Sequence, residues 1–205
     1  PRQFLGSFDQ GFYSDRDLPA SWRTRRGEAG SGALGDLGSH VISVAQYLVG
    51  PITEATALDG IVFKDRPLPA TGSGYHAKAY ANGTRQSVEN DDVVHALVKF
   101  GDDAFGSIGA SRVAAGRVFG INWEVRGTDG TLYVENERSN ELHVFRMAEP
   151  RDDRGFKSIL CGSQTDGFKQ GFFGFDYGGG GIGYFDVKVL EVRGMLLALE
   201  TGSDW

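Results

Sequence analysis

Gly32-Ala33-Leu34-Gly35-Asp36-Leu37-Gly38-Ser39-His40 is the stretch on which the reading of the fold turns. It joins a glycine-rich approach, Gly27 to Gly38, to the clearest helical pattern in the first half of the chain. Leu37, Val41, Val44, Ala45 and Leu48 recur with the period of one helical face. Gly50-Pro51 ends the pattern, because glycine suits the left-handed cap position and proline cannot continue the ladder. Asp36 sits at the helix start, where a carboxylate suits free amides and the dipole. Asp36 and His40, four residues apart, fall on one face of the helix, one turn apart.

Upstream, Phe4, Phe8 and Phe12 share a face of a strand within residues 3–13, and a polar loop follows through Trp22. Downstream, residues 52–63 read as a strand. Residues 65–90, with Pro67, Pro69, Gly72 and Gly83, read as a long loop with room for one short strand. Strands follow at 92–100, 104–113, 118–126, 131–135 and 141–146, divided by turn signals such as Gly101-Asp102-Asp103 and Asp129-Gly130. Their short connections predict antiparallel pairing. Phe119, Ile121, Trp123 and Val125 lie on one face, either buried under helices or free for self-association. Residues 147–183 are loop-like. A last helix over about 185–200 carries the apolar stripe Phe185, Val189, Val192, Leu196 and Leu199, with Gly202 as its cap. The order predicts an α+β fold with an open, mostly antiparallel sheet and helices packed on one face. The second face is left to solvent or to a second copy. No repeat or linker divides the chain, so residues 1–205 are expected to form a single domain.

Composition narrows the function. Hydrophobic content of 40% and charged content of 23% are those of an ordinary soluble protein. A formal net charge of −6 without a long basic run argues against nucleic-acid or anionic-membrane partners. One cysteine, Cys161, excludes an intrachain disulfide and a multi-cysteine metal site. No stretch nears the roughly 20 apolar residues of a membrane span, and no signal peptide opens the chain, so the cytoplasm is the expected location. A start at Pro1 rather than Met points to a chain that begins partway into a longer protein.

Gly178-Gly179-Gly180-Gly181-Ile182-Gly183 satisfies the dinucleotide pattern G-x-G-x-x-G and precedes a helix. The pattern needs a second parallel strand carrying an acidic residue, and the chain ends at Trp205. A flexible loop is expected there. Asp36 and His40 carry more: imidazole exchanges a proton near neutral pH, and a nearby carboxylate orients it. A capping Asp beside a satisfied His is the other reading of that spacing. Asp and His are also metal ligands, but no further ligand cluster recurs, so no metal is expected.

Trp22-Arg23, the small-residue run, Gly35 to His40 and the helix ending at Gly50 resemble the glucose–fructose oxidoreductase, inositol dehydrogenase and rhizopine-catabolism (Gfo/Idh/MocA) family. The likeness continues through Glu89-Asn90-Asp91-Asp92 before a strand, Gly101 to Ser107, Arg126-Gly127-Thr128-Asp129-Gly130-Thr131-Leu132 and the last helix. It covers nearly the whole chain and is most specific from Trp22 to Gly50.

The resemblance implies an N-terminal Rossmann domain, absent from these residues, that binds NAD or NADP. It also implies a C-terminal α+β domain like that of glyceraldehyde-3-phosphate dehydrogenase, with the active site between the two. The open sheet would then make a homodimer or homotetramer contact. Carried over by residue, His40 matches the catalytic histidine and Asp36 the aspartate one turn before it. Trp22 and Arg23 match a pair beside substrate and cofactor, although Arg23 also reads as a surface charge. Asp9 and Tyr13 are candidate substrate-pocket residues. The implied reaction is oxidation of a sugar or polyol CH–OH group, with His40 taking the hydroxyl proton and Asp36 orienting the ring. The family's Glu-Lys-Pro lysine has no match here, and the isolated chain is expected to bind no nicotinamide and to be inactive. The other functional classes are a non-catalytic sugar- or cofactor-sensing regulatory protein and an NAD-dependent glycosidase.

Overall fold

A computed structural model of the chain describes residues 1–72, 76–81, 83–162, 165 and 182–203. Among these residues, eight strands form one sheet: β1 (Gln3–Asp9), β2 (Ile52–Gly60), β7 (Val93–Phe100), β8 (Ala104–Ser111), β9 (Gly120–Arg126), β10 (Gly130–Glu135), β11 (Glu141–Arg146) and β12 (Lys157–Leu160). Their order is β12-β11-β10-β9-β1-β8-β7-β2. Strands joined by short turns pair antiparallel, as such connections require. β1 departs from that rule. It enters between β8 and β9, parallel to the first and antiparallel to the second. No short turn ties β1 to either neighbour, so nothing local sets its direction. The sheet is therefore mixed, though mostly antiparallel, and the fold is α+β.

One face of the sheet carries the core. Phe4 and Phe8 of β1, Val94, Val98 and Phe100 of β7, and Ile108 and Ala110 of β8 pack beneath Leu37, Val41 and Ala45. Val41 and Ala45 belong to α2 (Ser39–Leu48), which follows the short α1 (Arg26–Ala29). A β-carbon at Gly6 would press into the Phe4 ring and Val41, so glycine lets the helix lie close over β1. Phe12 falls beyond the end of β1 and does not continue its face. Ile121, Trp123 and Val125 pack against the same core, so their alternation marks the covered side and not an association surface. The other face shows Leu58, Leu97 and Phe105, which are 82%, 69% and 58% exposed.

The described residues of 65–90 hold two small ribbons rather than one short strand. β3 (Asp65–Pro67) pairs with β6 (Arg85–Ser87), and β4 (Pro69–Thr71) with β5 (Lys78–Ala79). The loop-like stretch after residue 147 contributes β12 to the sheet edge. Gly178 to Gly181 lie outside the described residues. Gly183 caps α3 (Tyr184–Thr201) and donates its N–H to the Asp186 carboxylate at 2.8 Å. Gly202, at φ 68°, ends that helix in the left-handed conformation. Tyr184 meets the edge of Phe119, with centroids 6.1 Å apart, while Phe185, Val189, Val192, Leu196 and Leu199 are exposed. Among the described residues, no helix is long and apolar enough to cross a membrane.

Candidate functional site

The site is built where the glycine-rich approach enters the helix. The Asp91 carboxylate accepts the N–H of Gly32 at 2.7 Å and of Leu34 at 2.8 Å, and the Asp91 carbonyl accepts Ala33 N–H at 2.9 Å. The capping carboxylate is thus Asp91, from just before β7, and not Asp36. Helical winding already runs from Leu34 to Gly38 as one wide π turn, in which Ser39 N–H bonds the Leu34 carbonyl five residues back. Such turns are uncommon and cluster at functional sites. With the capping role filled, Asp36 stands exposed on the outer side of the turn. The chain passes so near Asp91 that a β-carbon at Gly32 would overlap its carbonyl. Gly32→Ala is expected to destabilise the protein by roughly 1–3 kcal/mol in denaturant titration.

A second element faces this entry. Trp22–Thr24 form a single 3₁₀ turn capped by Ser21, whose hydroxyl accepts Arg23 N–H at 3.3 Å. Tyr13 supports the turn from below. It is buried, its hydroxyl meets Ser21 Oγ at 2.5 Å, and its ring contacts the guanidinium groups of Arg66 (4.6 Å) and Arg112 (4.9 Å). Arg66 is buried and donates to the carbonyls of Tyr13 and Asp15, so it ties down the loop after β1. Burial lowers its guanidinium below the usual value, and the charge of Asp92 opposes that shift.

Between the two elements lies a cleft of about 250 Å³ lined by Trp22, Arg23, Ser31, Gly35, Asp36 and Arg112, among others. Arg23 Nε donates to Asp36 Oδ2 at 3.3 Å, and the Arg23 guanidinium lies 4.4 Å above the Trp22 ring. The two charged side chains are 38% and 41% exposed, so this ion pair adds only about 0–1 kcal/mol of stability. Its consequence is orientation. It turns the carboxylate toward the cleft, and among the described residues no hydrogen bond joins Asp36 to His40. His40, also exposed, lies one turn on, its ring in a T-shaped contact with Phe8, centroids 5.6 Å apart. Phe8 in turn meets Phe119 at 5.0 Å. Phe119 and Tyr184 line a second cleft of about 590 Å³, so His40 stands beside the aromatic row that leads to it.

The structure therefore brings Trp22, Arg23 and Asp36 together and sets His40 next to them. It places Tyr13 beneath the cleft. It sets Asp9 apart: Asp9 pairs with Ser111 and Gly120 at the end of β1, and alternation with Phe8 directs it to the opposite face of the sheet. Sequence reasoning gave Asn90, Asp91 and Asp92 as part of a family-like motif with no role in the site, and it did not single out Arg112. All four are buried, and Arg112 Nε donates to Asp92 Oδ1 at 2.8 Å. For Asn90 to Asp92 the signal was a polar run immediately before a core strand, which marks groups that must find partners inside.

Comparison with known proteins gives this geometry a family. Residues 1–133 match the model described as the GFO/IDH/MocA C-terminal domain. Levoglucosan dehydrogenase of Pseudarthrobacter phenanthrenivorans is 33% identical over 208 residues, covering 98% of this chain and 51% of that protein. A solved NAD binding oxidoreductase from Klebsiella pneumoniae is 52% identical, with a TM-score of 0.82 over 94% of this chain and 48% of that one. Levoglucosan dehydrogenase in complex with NADH and levoglucosan superposes with a TM-score of 0.86 at 32% identity, over 98% of this chain and 50% of that one. The chain thus spans about half the length of these relatives. On sequence and architecture together, the chain belongs to the GFO/IDH/MocA oxidoreductase family, where it corresponds to the C-terminal domain.

Proposed function

We propose that residues 1–205 are the substrate-binding and oligomerisation domain of an NAD(P)-dependent dehydrogenase that oxidises a CH–OH group of a sugar or polyol. The observation that carries this reading is the Arg23–Asp36 pair at the rim of the cleft, with His40 one turn away, in a chain that matches levoglucosan dehydrogenase along 98% of its length.

The cofactor fits only in part. A cleft of about 250 Å³ falls below the roughly 300–1,000 Å³ of pockets for drug-sized ligands. It has room for a single sugar ring or the nicotinamide end, not a whole dinucleotide. Trp22 and Arg23, a flat ring and a cation at the rim, are the residues of this chain that would meet the cofactor. A nicotinamide bound there would supply the acceptor for hydride from the carbinol carbon. The chain's own residues do the rest. His40, whose ring meets that of Phe8 in a T-shaped contact, accepts the hydroxyl proton as the carbonyl forms. Asp36 accepts a hydrogen bond from a neighbouring sugar hydroxyl, and Arg23 keeps that carboxylate aimed. Trp22, half-exposed, gives an apolar face on which a sugar ring can lie. Tyr13 acts from beneath, through the turn that carries Trp22, and Asp9 takes no part in this cleft.

The test is NAD(P)H formation by the full-length protein with a panel of levoglucosan, inositols and aldoses. Reproducible turnover supports the reading. Sugar or cofactor binding without turnover would replace it with the sensing role. Self-association belongs to the same proposal. Leu58, Leu97 and Phe105 crowd the uncovered face of β2, β7 and β8, an apolar surface suited to a second copy. Leu97→Glu is expected to shift the protein toward monomer in sedimentation velocity, and an unchanged assembly would remove that face from the interface.

A further inference from the structure

We infer that Arg112, together with Asn90, is a positioning residue that aims Arg23 at Asp36; the inference rests on the reading of the cleft proposed above. The Arg23 carbonyl receives two donors at once, Asn90 Nδ2 at 3.0 Å and Arg112 Nη1 at 3.1 Å. Arg112 also sends Nη2 to the Asn90 carbonyl at 3.3 Å and Nε to Asp92 at 2.8 Å, so one planar fork reaches three acceptors inside the protein. Asp92 is itself fixed, accepting the backbone N–H groups of Val62 and Phe63 at 2.9 and 3.1 Å. The neighbouring backbone adds a further tie, since Glu89 N–H bonds the Thr24 carbonyl at 2.9 Å.

The direction of the effect follows from where each group lies. The turn at Trp22–Thr24 is three residues long and cannot hold itself rigid. The Arg23–Asp36 pair is exposed and contributes little of its own. The Asp92–Arg112 pair is 0% and 1% exposed, and its loss would leave a buried charge uncompensated. The buried clamp therefore holds the turn, and the surface pair is what it positions. Asp91 completes the arrangement by holding the helix entry that carries Asp36. Four consecutive residues, Glu89 to Asp92, thus grip both walls of the cleft.

Arg112→Lys keeps the charge but loses the fork. In the full-length protein it is expected to lower kcat for NADH formation from levoglucosan about 10²-fold, as misplacement of a positioning group does. In an Arg23→Ala background the same substitution should change kcat less than about twofold, because the path through Arg23 is already broken. Additive losses in this cycle would overturn the inference, whatever happens to Tm. Asn90→Ala is the milder variant, removing one donor to the Arg23 carbonyl, with about a tenfold loss expected. Its crystal structure gives a readout independent of substrate. Separation of Arg23 from Asp36 supports the clamp, and an intact pair in the wild-type place refutes it. If Arg23→Ala and Asp36→Asn both leave turnover intact, the proposed site fails instead, and the crystal geometry alone judges the clamp.

Discussion

Replacing His40 by alanine in the full-length protein is expected to lower turnover of the proposed sugar or polyol substrate about 10²–10⁴-fold, the usual worth of a positioned general base. Affinity for NAD(P) should stay the same, because His40 does not line the cleft at Trp22 and Arg23. Stability should change little. His40 is exposed, and its recorded contact is the 5.6 Å edge approach to Phe8. Substitutions at such positions usually fall within about 0.5 kcal/mol. The loss should therefore appear in kcat and not in the midpoint of unfolding. Among the described residues no hydrogen bond occupies either ring nitrogen, which leaves both open to contact by a bound hydroxyl. A wild-type kcat in His40→Ala would remove His40 from the mechanism.

Asp92→Ala is expected to cost about 3–5 kcal/mol of folding stability, measured by denaturant unfolding. The substitution leaves the Arg112 guanidinium, 1% exposed, without its counter-charge. It also strips an acceptor from the N–H groups of Val62 and Phe63, and removes the nearby negative charge that favours protonated Arg66. Against a typical total of about 5–15 kcal/mol, such a loss takes a large share of what holds the fold. Arg23→Ala gives the contrast, since its pair with Asp36 is exposed and should cost about 0–1 kcal/mol. A loss below about 1 kcal/mol in Asp92→Ala would mean that the buried pair does not govern stability.

Periodicity carried most of the architecture. The apolar face of α2 and the alternation of β7 to β11 are written in side chains a few residues apart, and local sequence is where such patterns are legible. The place of β1 is not written that way, because its neighbours β8 and β9 lie about a hundred residues on and no turn connects it to them. The helix cap failed for the same reason. Asp36 has the right spacing for a cap, yet Asp91, 57 residues from Leu34, fills that role.

The Asp92–Arg112 pair was within reach. The hairpin register that sets Val93 against Ser111 puts Asp92 directly across from Arg112, so the turn at Gly101 already implies the contact. The face of Asp9 follows equally from its alternation with Phe8. The resemblance supplied what spacing could not, the grouping of Trp22, Arg23, Asp36 and His40. The folded chain adds that Asp36 answers to Arg23, while the His40 ring leans on Phe8.

The most direct measurement is a crystal structure of the full-length protein with NADH and a sugar it oxidises or a close analogue. The sugar is expected against Trp22, Arg23 and Asp36 at the mouth of the cleft, extending along the helix beyond the cleft lining to bring its reacting hydroxyl within about 2.6–3.2 Å of a His40 ring nitrogen. A sugar bound elsewhere, with Asp36 and His40 both out of reach of it, would contradict the account.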